Sequence, residues 1–275
     1  MQERVDKSSA NQRVAPLLAK RDGAIAVLTL NRPEARNSLS IALLDGLRDE
    51  IAALSADPDI AAVVIAAAGP GFCAGHDLKE LTARRSDPDG GRAFYADVMG
   101  RCSRVMQSIV RSPKPFIAAV HGTASAAGCQ LVATCDLAVA ADDAKFVTPG
   151  VNIGLFCSTP MVALSRNVSR KRAMEMLLLG ESLPANAAAD YGLVNRVVPR
   201  ERLLDEAVDM ARRIASKSLL TVAIGKEAFY RQAEMPVAEA YDYAADVMVR
   251  NMMTRDAEEG IGAFIEKREP EWKGR

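Results

Sequence analysis

An α/β fold is predicted by three features of the chain. Short apolar segments rich in β-branched residues precede helical patterns repeatedly up to about residue 200. Beyond that point the apolar residues keep helical spacing only. Two apolar strands also run directly into glycine-bearing turns that open helices. Ile60 to Ala67 leads into PGFCAGHDLKE (70–80), and Pro115 to Val120 leads into HGTASAAGCQLVATCD (121–136).

In chain order, residues 1–20 are polar and read as a disordered leader without an apolar signal core. Ala24 to Leu30 (AIAVLTL) is a strand, and NRPEARNS is a loop broken by Pro33 and Asn37. Ser40 is a candidate N-cap for an amphipathic helix ending near Leu54. A helix begins near Leu78 and runs into Ser86 to Gly91, a polar stretch expected to be a mobile loop over the site. From Arg92 to Arg111, Val98, Cys102, Val105, Met106 and Ile109 repeat at helical spacing, until SPKP (112–115) breaks the pattern. After the central turn come a helix over about Cys129 to Cys135 and strands at Leu137 to Ala141 and Lys145 to Val147. A loop, Gly150 to Pro160, follows. Helices are expected over 161–167, 170–179, 185–191, 201–216, 219–232, 236–253 and 256–267. The organisation is then a core over 21–200 and a C-terminal helical region over 201–275, with no internal repeat.

Of the 275 residues, 49% are hydrophobic, enough for a large single core. Lys plus Arg equals Asp plus Glu at 35 each, so the balance points to neither nucleic acid nor an anionic membrane as partner. The five cysteines are odd in number and form no CxxC pair. This argues against a disulfide scaffold or a metal site and suggests reduced thiols in a cytoplasmic protein. No apolar run approaches the roughly 20 residues of a membrane span.

The two turns are where chemistry could reside. Gly122, Ala124, Ser125, Ala126, Ala127 and Gly128 are small, so a ligand can approach the backbone closely. The first turn of a helix leaves N–H groups without partners, and two such turns could offer two donors to one oxygen. Tight packing alone would also explain the small residues.

FCAGHDLKEL, AAVHGTASAAGCQLVATCDLAVAADDAKF and GLFCSTP, in this order and spacing, resemble the crotonase (enoyl-CoA hydratase/isomerase) superfamily, with similarity from about Ala24 to Trp272. The resemblance implies a spiral of β-β-α turns, a C-terminal helical trimerisation region, and a homotrimer or dimer of trimers. It implies an acyl-CoA thioester as substrate, with coenzyme A as part of the substrate and no permanently bound cofactor. The thioester oxygen would lie between the backbone N–H groups of His76 and Ala127. Arg36 and Lys79 match positions that reach the nucleotide, and Lys267 and Arg268 match a C-terminal basic pair. Each of these four also has a plain reading as a solvated surface charge.

The sequence departs from the family where hydratases carry two glutamates, placing Gln130 and Gly150 there. A Gln side chain hydrogen-bonds but does not titrate, and Gly supplies only its backbone. Ordinary water addition is therefore in doubt. Dihydroxynaphthoyl-CoA synthases also carry Gly at the second position and use bound bicarbonate, a device for which Gly150 could leave room. Cys157, Ser158 and Thr159 stand where other members place an aspartate. Cys157 reads as a nucleophile or a small buried hydrophobe, and His121 as a titrating group or a local hydrogen-bonder under the turn. Asp142 and Asp143 read as solvated loop residues. Two functions stay open: an acyl-CoA enzyme with altered acid–base chemistry, which could be a lyase, isomerase or hydrolase, and a binding or regulatory protein without turnover.

Overall fold

A computed structural model describes residues 15–274. Its main sheet has the order β1 (Leu17–Asp22), β2 (Ile25–Leu30), β3 (Ala62–Ala67), β4 (Phe116–Val120), β6 (Leu137–Ala141) and β9 (Arg196–Val198). A smaller sheet orders β5 (Thr123–Ser125), β7 (Lys145–Val147) and β8 (Leu183–Pro184). Only β1 in the main sheet and β8 in the small one run antiparallel to their neighbours. The short sheet continues through isolated parallel bridges, Leu39 to His76 and Cys73 to Ala124. Successive turns of chain are thus stacked beside one another.

β1 corrects the reading of residues 1–20 as leader, because residues 17–20 pair in register with β2, Leu17 opposite Leu30 and Lys20 opposite Val27. Residues 1–14 of that expected leader lie outside the described residues.

The helices are α1 (Ile41–Ala56), α2 (Leu78–Thr82), α3 (Arg92–Arg111), α4 (Ala127–Thr134), α5 (Pro160–Asn167), α6 (Arg170–Leu179), α7 (Ala185–Asp190), α8 (Leu203–Ala215), α9 (Leu219–Gln232), α10 (Val237–Met252) and α11 (Arg255–Glu266). Ser40 caps α1, its hydroxyl accepting from the Leu43 N–H at 3.2 Å. The stretch 86–91 is a run of turns whose Asp89 carboxylate accepts from the Gly91 and Ala93 N–H groups at 2.9 and 2.8 Å, opening α3.

Alternation along the buried strands feeds two cores. Val63, Ile65, Phe116, Ala118 and Val120 face a large core with α1, α3 and α4. Ala62, Val64, Ile117, Ala119 and Val139 face a second core against Leu203, Ala207, Val208, Met210 and Ala211 of α8. A division at residue 200 therefore cuts across packing, since α8 covers one face of the main sheet.

α9 is fixed to this body by a buried ion pair. Lys226 Nζ donates to Asp136 Oδ2 at 2.7 Å and to the carbonyls of Ile109 and Lys114 at 2.9 and 2.8 Å. The Tyr230 hydroxyl donates to Asp136 Oδ1 at 2.9 Å.

Candidate functional site

The two glycine-bearing turns meet. At Gly75, held at φ 92°, a Cβ would lie 3.0 Å from the Ala126 Cβ and 3.4 Å from the Ala127 nitrogen. At Gly128 a Cβ would overlap the Cys73 carbonyl oxygen. Backbone bonds seal the contact, with the Ser125 N–H donating to Cys73 O at 2.8 Å and the Cys73 N–H to Thr123 O at 3.1 Å.

Each turn leaves one N–H free. The Leu39 N–H donates to Gly75 O and the Asp77 N–H donates to Leu39 O, so His76 between them directs its own N–H away from that bridge. Ala127 is the first residue of α4 and has no carbonyl one turn behind it within the helix. Among the described residues neither N–H has a hydrogen-bond partner. Ala126, just before it, sits at φ 48° and ψ −114°. Such a conformation in a residue with a Cβ costs about 1–3 kcal/mol and persists only when its surroundings enforce it. Here the Ala126 N–H donates to Val147 O at 2.9 Å and its carbonyl accepts from the Gln130 N–H at 3.0 Å.

A strut that the sequence reading missed holds the first turn. Asp77 caps α2, Oδ1 accepting from the Lys79 and Glu80 N–H groups at 3.1 and 3.4 Å. Its Oδ2 accepts from Arg32 Nη2 at 3.0 Å and from the Ser38 hydroxyl at 3.2 Å. Burial acts to raise the Asp77 pKa, but these bonds outweigh it and hold the carboxyl below the usual range. Asp77 followed three residues later by Glu80 has the spacing of a capping box and could have signalled this. Glu80 instead accepts from the Ile41 N–H at 3.0 Å, tying α1 to the turn.

The His76 ring is buried with neither nitrogen hydrogen-bonded, and burial lowers its pKa to about 4. It is a neutral imidazole at pH 7. His121 Nε2 lies 2.9 Å from Gly69 O, the local bond expected of a residue beneath the turn. Cys157 is buried, and desolvation pushes its thiol pKa up, opposite to what a nucleophile requires.

Gln130 is one turn along α4 from Ala127 and 5% exposed, with a buried Oε1 that lacks a partner. It lines a cavity of about 440 Å³ whose walls include Met106, Val110, Ala133, Val162 and Tyr230. Gly150 does not leave the open space expected of it. A Cβ there would meet Leu155 O at 2.9 Å and Cys157 Sγ at 3.0 Å, because the Leu155 N–H donates to Gly150 O at 2.9 Å and folds the loop back over it.

Arg36 and Lys79 are exposed, and the Arg36 carbonyl accepts from the Ala74 N–H, two residues before His76. Both belong to the first turn and its supports. Lys267 and Arg268 lie beyond α11, and no hydrogen bond or ion pair joins them to the two turns among the described residues. The Arg268 guanidinium is engaged by both Glu259 oxygens at 2.6 and 2.9 Å, whereas Lys267 has no such partner. No cluster of potential metal ligands occurs among the described residues, and no helix there is long and apolar enough to cross a membrane.

The enoyl-CoA hydratase/isomerase family model matches residues 20–275. Enoyl-CoA hydratase domain-containing protein 3 of Rattus norvegicus is 48% identical over 253 residues, covering 92% of this chain and 82% of the relative. The human protein of that name is 47% identical over 257 residues, covering 94% and 83%. Its crystal structure superposes with a TM-score of 0.89, covering 94% of this chain and 100% of that one. A Mycobacterium smegmatis enoyl-CoA hydratase structure also gives a TM-score of 0.89 at 52% identity, covering 94% and 98%. The rat and human relatives are named as mitochondrial, which overturns the cytoplasmic expectation. Reduced cysteines argue against an oxidising compartment but do not choose between reducing ones. The family match over nearly the whole chain and the identity to these relatives together establish that this protein belongs to the enoyl-CoA hydratase/isomerase family.

Proposed function

We propose that this protein binds acyl-CoA thioesters and holds the thioester oxygen between the backbone N–H groups of His76 and Ala127. The observation that carries this reading is the pair of unpartnered N–H groups on two abutting turns, one of them following the strained Ala126. Negative charge grows on a thioester oxygen when the α-carbon loses a proton or the β-carbon is attacked. Fixed donors aimed at that oxygen lower the barrier, and losing one costs about 3 kcal/mol. The neutral His76 ring adds no formal charge to the hole, so stabilisation rests on the main chain. Arg36 and Lys79 are the groups best placed to meet the phosphates of coenzyme A, with Lys267 a further candidate.

The reaction itself is altered from ordinary hydration. Gln130 and Gly150 stand at the acid–base positions, and neither transfers a proton. The closed loop over Gly150 and the raised Cys157 thiol provide no evident substitute base. These observations favour a second reading as well, acyl-CoA binding or regulation without turnover.

Isotope-edited infrared spectroscopy tests the binding mode. A thioester with a ¹³C carbonyl should show its stretch at lower frequency when bound. Replacing Ala127 by Pro removes one donor at a position where helices accept proline. Because the residue before a proline avoids conformations such as that of Ala126, the variant's fold is checked by its melting curve. Bound thioester with an unshifted carbonyl in the unmodified protein would show the hole to be wrong. Assaying a panel of acyl-CoA thioesters for binding and turnover separates the two readings.

A further inference from the structure

We infer that Arg111 reads the far end of the ligand's acyl chain, and that the preferred ligands carry a carboxylate there, as in the coenzyme A monothioester of a medium-chain dicarboxylic acid. This rests on the thioester reading above and adds the substrate class.

The cavity of about 440 Å³ beside α4 has an apolar throat and a charged mouth. Met106 and Ala133 line it as buried residues and Val110 and Tyr230 as half-buried ones, while Arg111, Arg166 and Glu234 are exposed at its edge. The charges at the mouth do not balance. Arg166 Nε donates to Glu234 Oε1 at 3.1 Å, and its Nη1 donates to the Val162 carbonyl at 3.0 Å. On the far side of Tyr230, Arg111 also lines an adjoining cavity with Glu227, which lies 3.8 Å from Arg231. Both carboxylates on these two walls are thus matched to other cations. The Arg111 guanidinium has no hydrogen-bond or ion-pair partner among the described residues, so one positive charge is left over.

A planar guanidinium presents paired N–H donors that match the two oxygens of a carboxylate. With the thioester oxygen at the Ala127 N–H, the acyl chain enters the cavity and the phosphates of coenzyme A leave on the sulfur side, away from this mouth. Thr134 lines the same cavity, two turns beyond Ala127 and about 10 Å along the axis of α4. An extended chain advances about 1.3 Å per carbon, so about eight carbons reach from the proposed hole to the mouth. An alkyl tail of that length takes nothing from Arg111, whereas a terminal carboxylate takes an ion pair. Arg111 also closes the last turn of α3, where a cation is favoured by the helix dipole alone. That role predicts no dependence on the tail of the ligand.

Calorimetric titration of the full chain with octanoyl-CoA and with the coenzyme A monothioester of octanedioic acid tests this. The diacid thioester should bind about fivefold tighter at low ionic strength, the upper end for an ion pair open to water. The ratio should shrink in 0.5 M salt, where screening acts within a few ångströms. In Arg111→Gln it should fall to one or below, and because Arg111 is exposed the variant should keep its melting curve. Equal or weaker binding of the diacid thioester by the unmodified protein, or a preference that survives Arg111→Gln, would overturn the assignment. Binding of neither thioester would instead overturn the thioester reading on which it rests.

Discussion

At the scale of single residues, His76 makes a pH prediction. Its pKa falls from an ordinary 6.5 to about 4 in the folded protein because burial disfavours the charged ring. The unfolded chain therefore takes up a proton below pH 6.5 that the folded chain refuses until about pH 4. Stability should decline as pH falls through that window, and His76→Gln should flatten the decline. Denaturant midpoints at pH 7 and pH 5 measure the difference, and equal slopes in both proteins would reject it. The acid–base positions make a second prediction. The unmodified protein should hydrate crotonyl-CoA slowly, because each missing proton-transfer group typically contributes 10²–10⁴-fold. Gln130→Glu with Gly150→Glu should raise the rate only if the 150–157 loop opens, since the Leu155 carbonyl blocks the new side chain. A lowered melting temperature for Gly150→Glu is the expected sign of that clash. Brisk hydration without these changes would point to an undetected base. The residues exchanged at these positions were legible from sequence by comparison with the family pattern. The obstruction at Gly150 was not, because it arises from a carbonyl five residues away that only the folded loop brings back.

At the scale of elements, β2, β3, β4 and β6 were legible because both faces are largely buried and their residues, Thr29 of β2 apart, are apolar. β1 was not. LLAKRD is largely exposed and is a strand only because β2 offers it an edge. β8, two residues with a proline, gave no pattern to read. The placement of α9 was hidden for a different reason: its anchor, Lys226, finds its three acceptors at positions 109, 114 and 136. With 6% of the Lys226 side chain and 15% of the Asp136 side chain exposed, the pair is a buried one. Removing one member of such a pair costs about 3–5 kcal/mol. Lys226→Met should shift the denaturation midpoint accordingly, and Tyr230→Phe, which deletes one bond, should cost about 1 kcal/mol. A Lys226→Met midpoint unchanged from the unmodified protein would mean that α9 is held by its apolar contacts instead.

At the scale of the molecule, the last three helices leave apolar side chains in water. Phe229, Tyr241, Met253 and Phe264 are 63%, 76%, 82% and 84% exposed. Exposed large apolar groups of this kind commonly mark association surfaces, and the family resemblance supplies the expected number, a trimer or dimer of trimers. Light scattering at micromolar concentration should give three or six times 29.5 kDa, and a stable monomer would exclude it. The packed contact between the two turns has a further consequence, for heredity. Gly128 is barred from any side chain by the Cys73 carbonyl, whatever that side chain's chemistry. The proposed hole is built from main chain, so inheritance there is constrained by volume. Gln130 is under no such main-chain constraint, and a single base change converts any glutamine codon to one for glutamate, whereas at Gly150 the Leu155 carbonyl stands 2.9 Å from where a Cβ would lie. A lineage built on this scaffold can lose proton transfer and keep its ligand, then recover the chemistry at Gln130 more readily than at Gly150, where the neighbouring loop must also yield.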